Sequence, residues 1–331
     1  MKSVDTQTLF FQHIKTLLPD QVSMVDEIAD LLNISTDSAY RRIRGEKPLI
    51  LEEIRTLTGH FNISIDHLLQ RDTTNFIFSD EIVKIEDYSF KDHLEFHLNG
   101  FQLLKSWKNV EVIFFTRDIA IFYFYQFPEL LAFKYFYWMK TGFGSPEFSK
   151  KKFLIKDYIE IFAEKARKAA MLYVELDCKE IWAVENINLT LQQIQFYKET
   201  EVFEDPAEID VIYNKVENLI DQIETQAEIG KKFYYNQPVK DNAGRFELFV
   251  NEFMIGGNNI LVTADGHMIA FINHSIMNYL HTEDIVFCEY VQKRINNVLK
   301  KSDPVSIVGE KQRINFFKKL RSRISYSRSV K

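Results

Sequence analysis

The sequence predicts a mainly α fold with a small antiparallel β component (α+β). A compact five-helix N-terminal domain comes first and a larger α+β domain follows. Three observations lead there: short helical periodicities fill residues 6 to 71, the pattern breaks at Arg71-Asp72-Thr73-Thr74, and period-two alternation is concentrated in residues 245–274. Setting the boundary at the break gives domains of residues 1–72 and 73–331, since a chain of 331 residues is long for one core.

Composition narrows the class. Hydrophobic residues make up 46% and charged residues 27%, as in a globular protein, while 29 Phe and 15 Tyr predict a bulky core. Cys178 and Cys288 stand too far apart to suggest a disulfide framework or a metal pair, so a reducing, cytoplasmic setting is expected. The opening MKSVDTQTLFFQHIK has charges on both sides of its apolar patch and is not expected to act as a signal peptide. The uncharged run IAIFYFYQFP falls short of the roughly 20 residues of a membrane helix, so no membrane partner is expected.

Charge is segregated. Residues 1–72 carry 8 Lys and Arg against 11 Asp and Glu; residues 73–292 carry 21 against 34; residues 293–331 carry 12 against 2. The acidic middle therefore faces two basic concentrations, one at Arg41, Arg42, Arg44 and Lys47 and one in the C-terminal stretch.

The first helix is read from Leu9, Ile14 and Leu17-Leu18, with Pro19 ending it. A second follows Ser23, with Val25, Ile28, Ala29 and Leu32 at helical spacing and Asn33 suited to a left-handed C-cap. Ile34 plugs the turn and Ser35 caps a third helix. On that helix Ala39 and Ile43 face inward, Thr36, Asp37, Tyr40, Arg41 and Arg44 outward, and Gly45 stops it. Leu51-Glu52-Glu53-Ile54 through His60 and then Asn62 to Leu69 complete the five.

The ordered run Glu27 to Ser35, Tyr40-Arg41-Arg42-Ile43-Arg44-Gly45-Glu46, and His60-Phe61-Asn62-Ile63-Ser64-Ile65-Asp66-His67-Leu68-Leu69 resembles the phage-repressor, or xenobiotic-response-element, type of helix-turn-helix domain. That resemblance implies double-stranded DNA as partner and a bacterial-type transcriptional regulator. The third helix would enter the major groove, with Thr36, Asp37, Tyr40 and Arg41 toward bases and Arg42, Arg44 and Lys47 on phosphates. One such module binds weakly, so a homodimer across two half-sites is expected. A second reading, drawn from the domain's acidic balance, is a protein-interaction adaptor whose basic face is merely solvated.

In the larger domain a strand is read at 75–78, a helix over 90–107 and a buried strand over 110–115. Residues 114–143 hold 13 aromatics in 30 positions, a density with three readings: ordinary core, dimer surface or ligand pocket. A helical middle is expected over 153–232, as helices at 153–176, 188–203 and 206–230. A three-stranded antiparallel meander is expected over 245–274, turning at Gly256-Gly257-Asn258-Asn259 and Asp265-Gly266. Further helices are read at 283–300 and 310–324. The last is amphipathic and basic, with Ile314, Phe317, Leu320 and Ile324 on one side. It could touch DNA, lie against the acidic middle, or be a solvated face.

No catalytic motif emerges, and no enzyme activity, metal or cofactor is expected. His93 and His97 lie four apart on a helix without a third ligand. His267, His274, His281 and Cys288 are scattered; with them, a ligand- or metal-sensing regulator with its effector in the C-terminal domain stands as a third reading. A small-molecule effector would be its partner, of unidentified chemistry.

Overall fold

The computed structural model describes residues 6–19, 22–61, 63, 76–79, 89–252, 259–275 and 278–330. The chain divides into two compact units, Met1–Ile77 and Phe78–Lys331.

In the first unit four helices are described: α1 (Thr6–Leu17), α2 (Met24–Leu32), α3 (Thr36–Ile43) and α4 (Leu51–Phe61). The fifth expected helix, read from Asn62 to Leu69, lies outside the described residues apart from Ile63. Ser23 caps α2 by accepting from the Asp26 amide, and Asn33, at φ 50°, ends it. The Ile34 amide returns to the Ala29 carbonyl at 3.0 Å, and Ser35 then accepts from the Ser38 amide at 3.3 Å. Three residues thus close one helix and open the next, satisfying end groups that would otherwise be left bare. Phe10, Phe11, Ile14, Ile28, Ala29, Ala39, Leu57 and Ile63 form the core, with Ile34 packed against it as the plug. The first helix buries Phe10 and Phe11 rather than Leu17, which is 47% exposed.

The second unit is built on a seven-stranded mixed sheet, in the order β6-β5-β4-β1-β2-β3-β7. Its strands are β1 (Glu111–Phe115), β2 (Asp177–Trp182), β3 (Phe246–Val250), β4 (Asn259–Ala264), β5 (His267–Asn273), β6 (Tyr279–Thr282) and β7 (Asp303–Pro304). The central β1, β2 and β3 are mutually parallel, while β4 to β6 and β7 add antiparallel pairings on either side. Parallel neighbours require long crossovers, and the helices supply them. After α5 (Phe90–Ser106), the elements α6 (Ile121–Phe124), α7 (Pro128–Tyr137) and α8 (Ala163–Tyr173) link β1 to β2; α9 (Asn188–Glu199) and α10 (Ala207–Ile229) link β2 to β3.

Side chains alternate between two cores, as the period of a strand demands. Val112, Phe114, Trp182, Phe246 and Leu248 join the large core with α5 to α10. Ile113, Phe115, Ile181, Leu261 and Ala270 face Cys288, Val291 and Ile295 of α11 (Ile285–Leu299). The aromatic stretch is core: Phe114, Phe115, Phe122, Tyr123, Phe124, Tyr125, Phe127, Phe133, Phe136 and Trp138 are all buried.

Several expectations change. The helical middle at 153–232 contains β2, and its first helix begins at Ala163 rather than 153. DCKEIW does not look like a central strand because Lys179 sits on one face and Glu180, fully buried, on the other. The meander at 245–274 is also corrected. β3 pairs in parallel with β2, and the antiparallel meander is β4-β5-β6, spanning 259–282. Alternation assigns a strand its faces but not its neighbour. Of the two expected turns, Asp265-Gly266 is a two-residue hairpin with Gly266 at φ 77°, whereas positions 256–258 lie outside the described residues. Of the strand expected at 75–78, Asn75 is outside the described residues and 76–78 form none; Ser79 makes a single antiparallel bridge to His281.

The basic C-terminal helix, α12 (Glu310–Ser329), runs beyond the expected end and buries Arg313, Phe316, Phe317, Leu320 and Ile324, leaving Ile314 52% exposed. It lies against α10 of the acidic middle. Arg321 pairs with Asp221 and Glu224, Arg323 with Glu185, and Arg328 with Asp210. Among the described residues no helix is long and apolar enough to cross a membrane.

Candidate nucleic-acid interface

Helix α3 carries the sequence-derived face. Thr36, Asp37, Tyr40, Arg41 and Arg44 are exposed, and their spacing puts them on one side of the helix. Buried Ala39 holds the other side to the core. The Arg44 guanidinium lies over the Tyr40 ring, 4.6 Å from its centroid, so this pair forms one flat, polar-edged surface. Lys47 is exposed beyond the helix end.

Arg42 does not belong to this face. It is 4% exposed, and its guanidinium grips Glu53 of α4 with Nε at 2.9 Å and Nη2 at 2.5 Å, while Nη1 donates to the Ser38 carbonyl at 3.1 Å. The expectation that Arg42 holds phosphate is therefore overturned. Its turn position on α3 points it between helices, and its donors are spent on a fork-to-fork pair. Hydrogen bonding to Glu53 raises the Arg42 pKa, and the same guanidinium holds the Glu53 carboxyl below its ordinary range. Glu53 also accepts from the Ile50 amide at 3.3 Å, so one carboxylate fixes both α3 and the start of α4.

Two further side chains set the loop that follows. Gly45, at φ 76°, turns the chain so that the amides of Glu46 and Lys47 both return to the Arg41 carbonyl, at 2.9 and 3.2 Å. Gln7 of α1 donates to the Arg42 and Lys47 carbonyls at 2.7 and 2.8 Å and accepts from the Leu49 amide at 2.9 Å. Neither Gln7 nor Glu53 is marked by sequence, because both act across 11 to 42 positions with no local motif.

The same loop brings a carboxylate to the face. Glu46 stands 3.9 Å from Arg41 and 3.7 Å from Arg44, all three side chains being half-exposed or more. At such separations in water the attraction is weak and easily exchanged for a phosphate. The face can thus present Arg41 to a base edge and Arg44 and Lys47 to the backbone.

Other polar clusters do not open to a ligand. Glu180, whose pKa burial raises, accepts from Tyr123, Tyr173 and Trp182; Lys232 donates to Cys178 Sγ at 2.8 Å and to the Tyr173 carbonyl. All six side chains are buried, so this is a satisfied interior network. His97 Nδ1 meets Tyr125 Oη at 2.8 Å, and burial lowers His93 to about 4. His267 stacks on Trp107, and the Cys288 thiol donates to the Thr282 carbonyl. Among the described residues no group of three or more His, Cys, Asp and Glu could hold a metal ion. An open groove between α9 and α12 is lined by Leu191, Gln192, Gln195, Arg323 and Tyr326, but Arg323 and Gln195 are already tied to Glu185 and Glu199.

Residues 11–84 match a family model described as the BetR domain, a helix-turn-helix type of DNA-binding domain. No curated protein and no solved structure matches the chain. The matched stretch includes all of α2 to α4, and with them the exposed α3 face and the Arg42–Glu53 pair.

Proposed function

We propose that this protein is a sequence-specific transcriptional regulator of the phage-repressor-like type, working as a homodimer on double-stranded DNA in a bacterial cytoplasm. The first unit reads the DNA, and the second supplies oligomerisation or sensing; no catalytic step is involved. One observation carries the reading: within the matched helix-turn-helix segment, α3 and its C-cap present Arg41 and Arg44, whose ion-pair partner among the described residues is the loosely placed Glu46. In this reading Thr36, Asp37, Tyr40 and Arg41 face bases, and Arg44 and Lys47 hold phosphates. Arg41, matched to guanine, contributes about 1–3 kcal/mol of discrimination.

The test is capture of fragments from the source genome by the full-length chain beside Arg41→Ala. Enrichment of a short, two-fold repeated sequence that the variant loses supports sequence reading. Equal, patternless recovery by both, with little dependence on salt, sinks it and favours a protein-interaction adaptor, because phosphate contacts make DNA affinity fall steeply with salt.

A further inference from the structure

We infer that the outer face of α11 pairs two copies of this chain about a two-fold axis. The proposal deepens the dimeric reading above by naming the surface.

Helix α11 lays Cys288, Val291 and Ile295 on the sheet and leaves a second, apolar-rich side uncovered. Val286 and Tyr290 are 62% and 53% exposed on that side. Scattered exposed apolar side chains are ordinary, whereas these two stand together one turn apart.

The charge order along α11 says what fits there. Phe287, Tyr290, Arg294 and Asn297 follow one another on α11 at intervals of three, four and three, the spacing of a helix–helix seam, and Glu283 and Lys301 stand just outside its ends, before the Asp284 N-cap and after the Lys300 C-cap. That series reads the same from both ends about position 292. An antiparallel partner with the same sequence therefore sets Glu283 against Lys301, Phe287 against Asn297 and Tyr290 against Arg294, each twice. The acidic end meets the basic end, and a guanidinium meets a ring. Within one chain Arg294 already lies over Tyr290, 5.8 Å from its centroid, so the pairing exchanges a local partner for a symmetric one. Among the described residues none of Glu283, Arg294 and Lys301 is held in an ion pair. A foreign partner would need no such palindrome; a second copy supplies it.

Phe78 packs edge-on against Phe287 at 5.0 Å, and the Ser79 amide donates to the His281 carbonyl at 2.8 Å, so the start of the second unit is anchored beside α11. Helices of 15 residues, about 22 Å long, bury less than the roughly 1,200 Å² of a durable interface. The pairing is accordingly weak in free protein and is completed when DNA holds both copies.

The experiment uses the full-length chain at high concentration. Tyr290→Cys and Arg294→Cys are oxidised separately and as an equal mixture. The register sets 290 against 294 and neither against itself, so a covalent dimer is expected in the mixture in several-fold excess over either variant alone. In sedimentation equilibrium Glu283→Lys should weaken dimerisation several-fold, and Lys301→Glu in the same chain should restore it. Equal cross-linking in all three samples, no dimer in any, or a dimer constant indifferent to Glu283→Lys would overturn the assignment. A chain that fails these tests yet enriches a DNA sequence through Arg41 refutes the surface alone and leaves DNA reading standing.

Discussion

The basic side chains of α3 and α12 use their charge in opposite ways. On α12, Arg321, Arg323 and Arg328 are each matched by carboxylates or amides of α9, α10 and the turn before α9, at distances of 2.5 to 3.0 Å where Asp221, Glu185, Asn188, Asp210 and Asn214 accept. On α3, Arg42 is fully committed to Glu53, while Arg41 and Arg44 share Glu46 beyond ordinary hydrogen-bond distance. The count of cations is therefore a poor guide to a nucleic-acid surface. Cations without a tight partner are the useful quantity, since they are free to neutralise phosphates and so release counterions from the backbone.

The strongest way to break this contrast is to attack the committed arginine. Removing one partner of a buried pair leaves the other charge stranded, so Glu53→Ala should cost about 3–5 kcal/mol in the first unit's denaturant unfolding. Arg42→Met with Glu53→Leu should cost clearly less. Equal losses would mean that packing, and not stranded charge, sets the penalty. Acid offers a second handle. Because the folded Glu53 carboxyl is held below its unfolded range, its contribution is complete above the unfolded value and fades as pH falls through the folded one. Unfolding midpoints should drop on acidification in the native chain, and Glu53→Gln should flatten that part of the profile.

The uncommitted cations give smaller effects. Lys47→Ala should lower the salt slope of DNA binding by about 1, whereas Arg321→Ala should leave the slope alone and cost stability in the second unit. A slope that responded to Arg321→Ala would erase the distinction between the two helices. Least of all, Glu46→Gln should tighten DNA binding by up to about 1 kcal/mol, the scale of an exposed ion pair, as read from titrations at low salt.

Much of the first unit was legible because its signals are local. Ser23, Asn33, Ser35 and Gly45 mark helix ends within a few positions, and the observed caps use those residues. The exposed face of α3 followed from spacing alone. Arg42 was misassigned because helical phase places it near the boundary between faces, and only Glu53, 11 positions on, decides which way it turns. In the second unit the buried strand at Glu111–Phe115 was evident from its apolar run, but β2 was not, since its interior Glu180 is tolerated only through Tyr123, Tyr173 and Trp182. Sheet order was likewise hidden, for β1 and β4 are joined by hydrogen bonds across well over a hundred positions that leave no periodic trace.

Gln7 has a consequence for how the loop after α3 comes into being. One amide at the start of the chain fixes carbonyls at 42 and 47 and the amide at 49, so that loop has its final shape only after α1 has docked. A partly folded chain with α1 detached would keep α2 and α3 yet lack the set loop beside them. Exchange of the Leu49 amide with solvent deuterium should therefore keep step with that of the α1 core amides at Phe11 and Ile14, and not with the fraying ends of neighbouring helices.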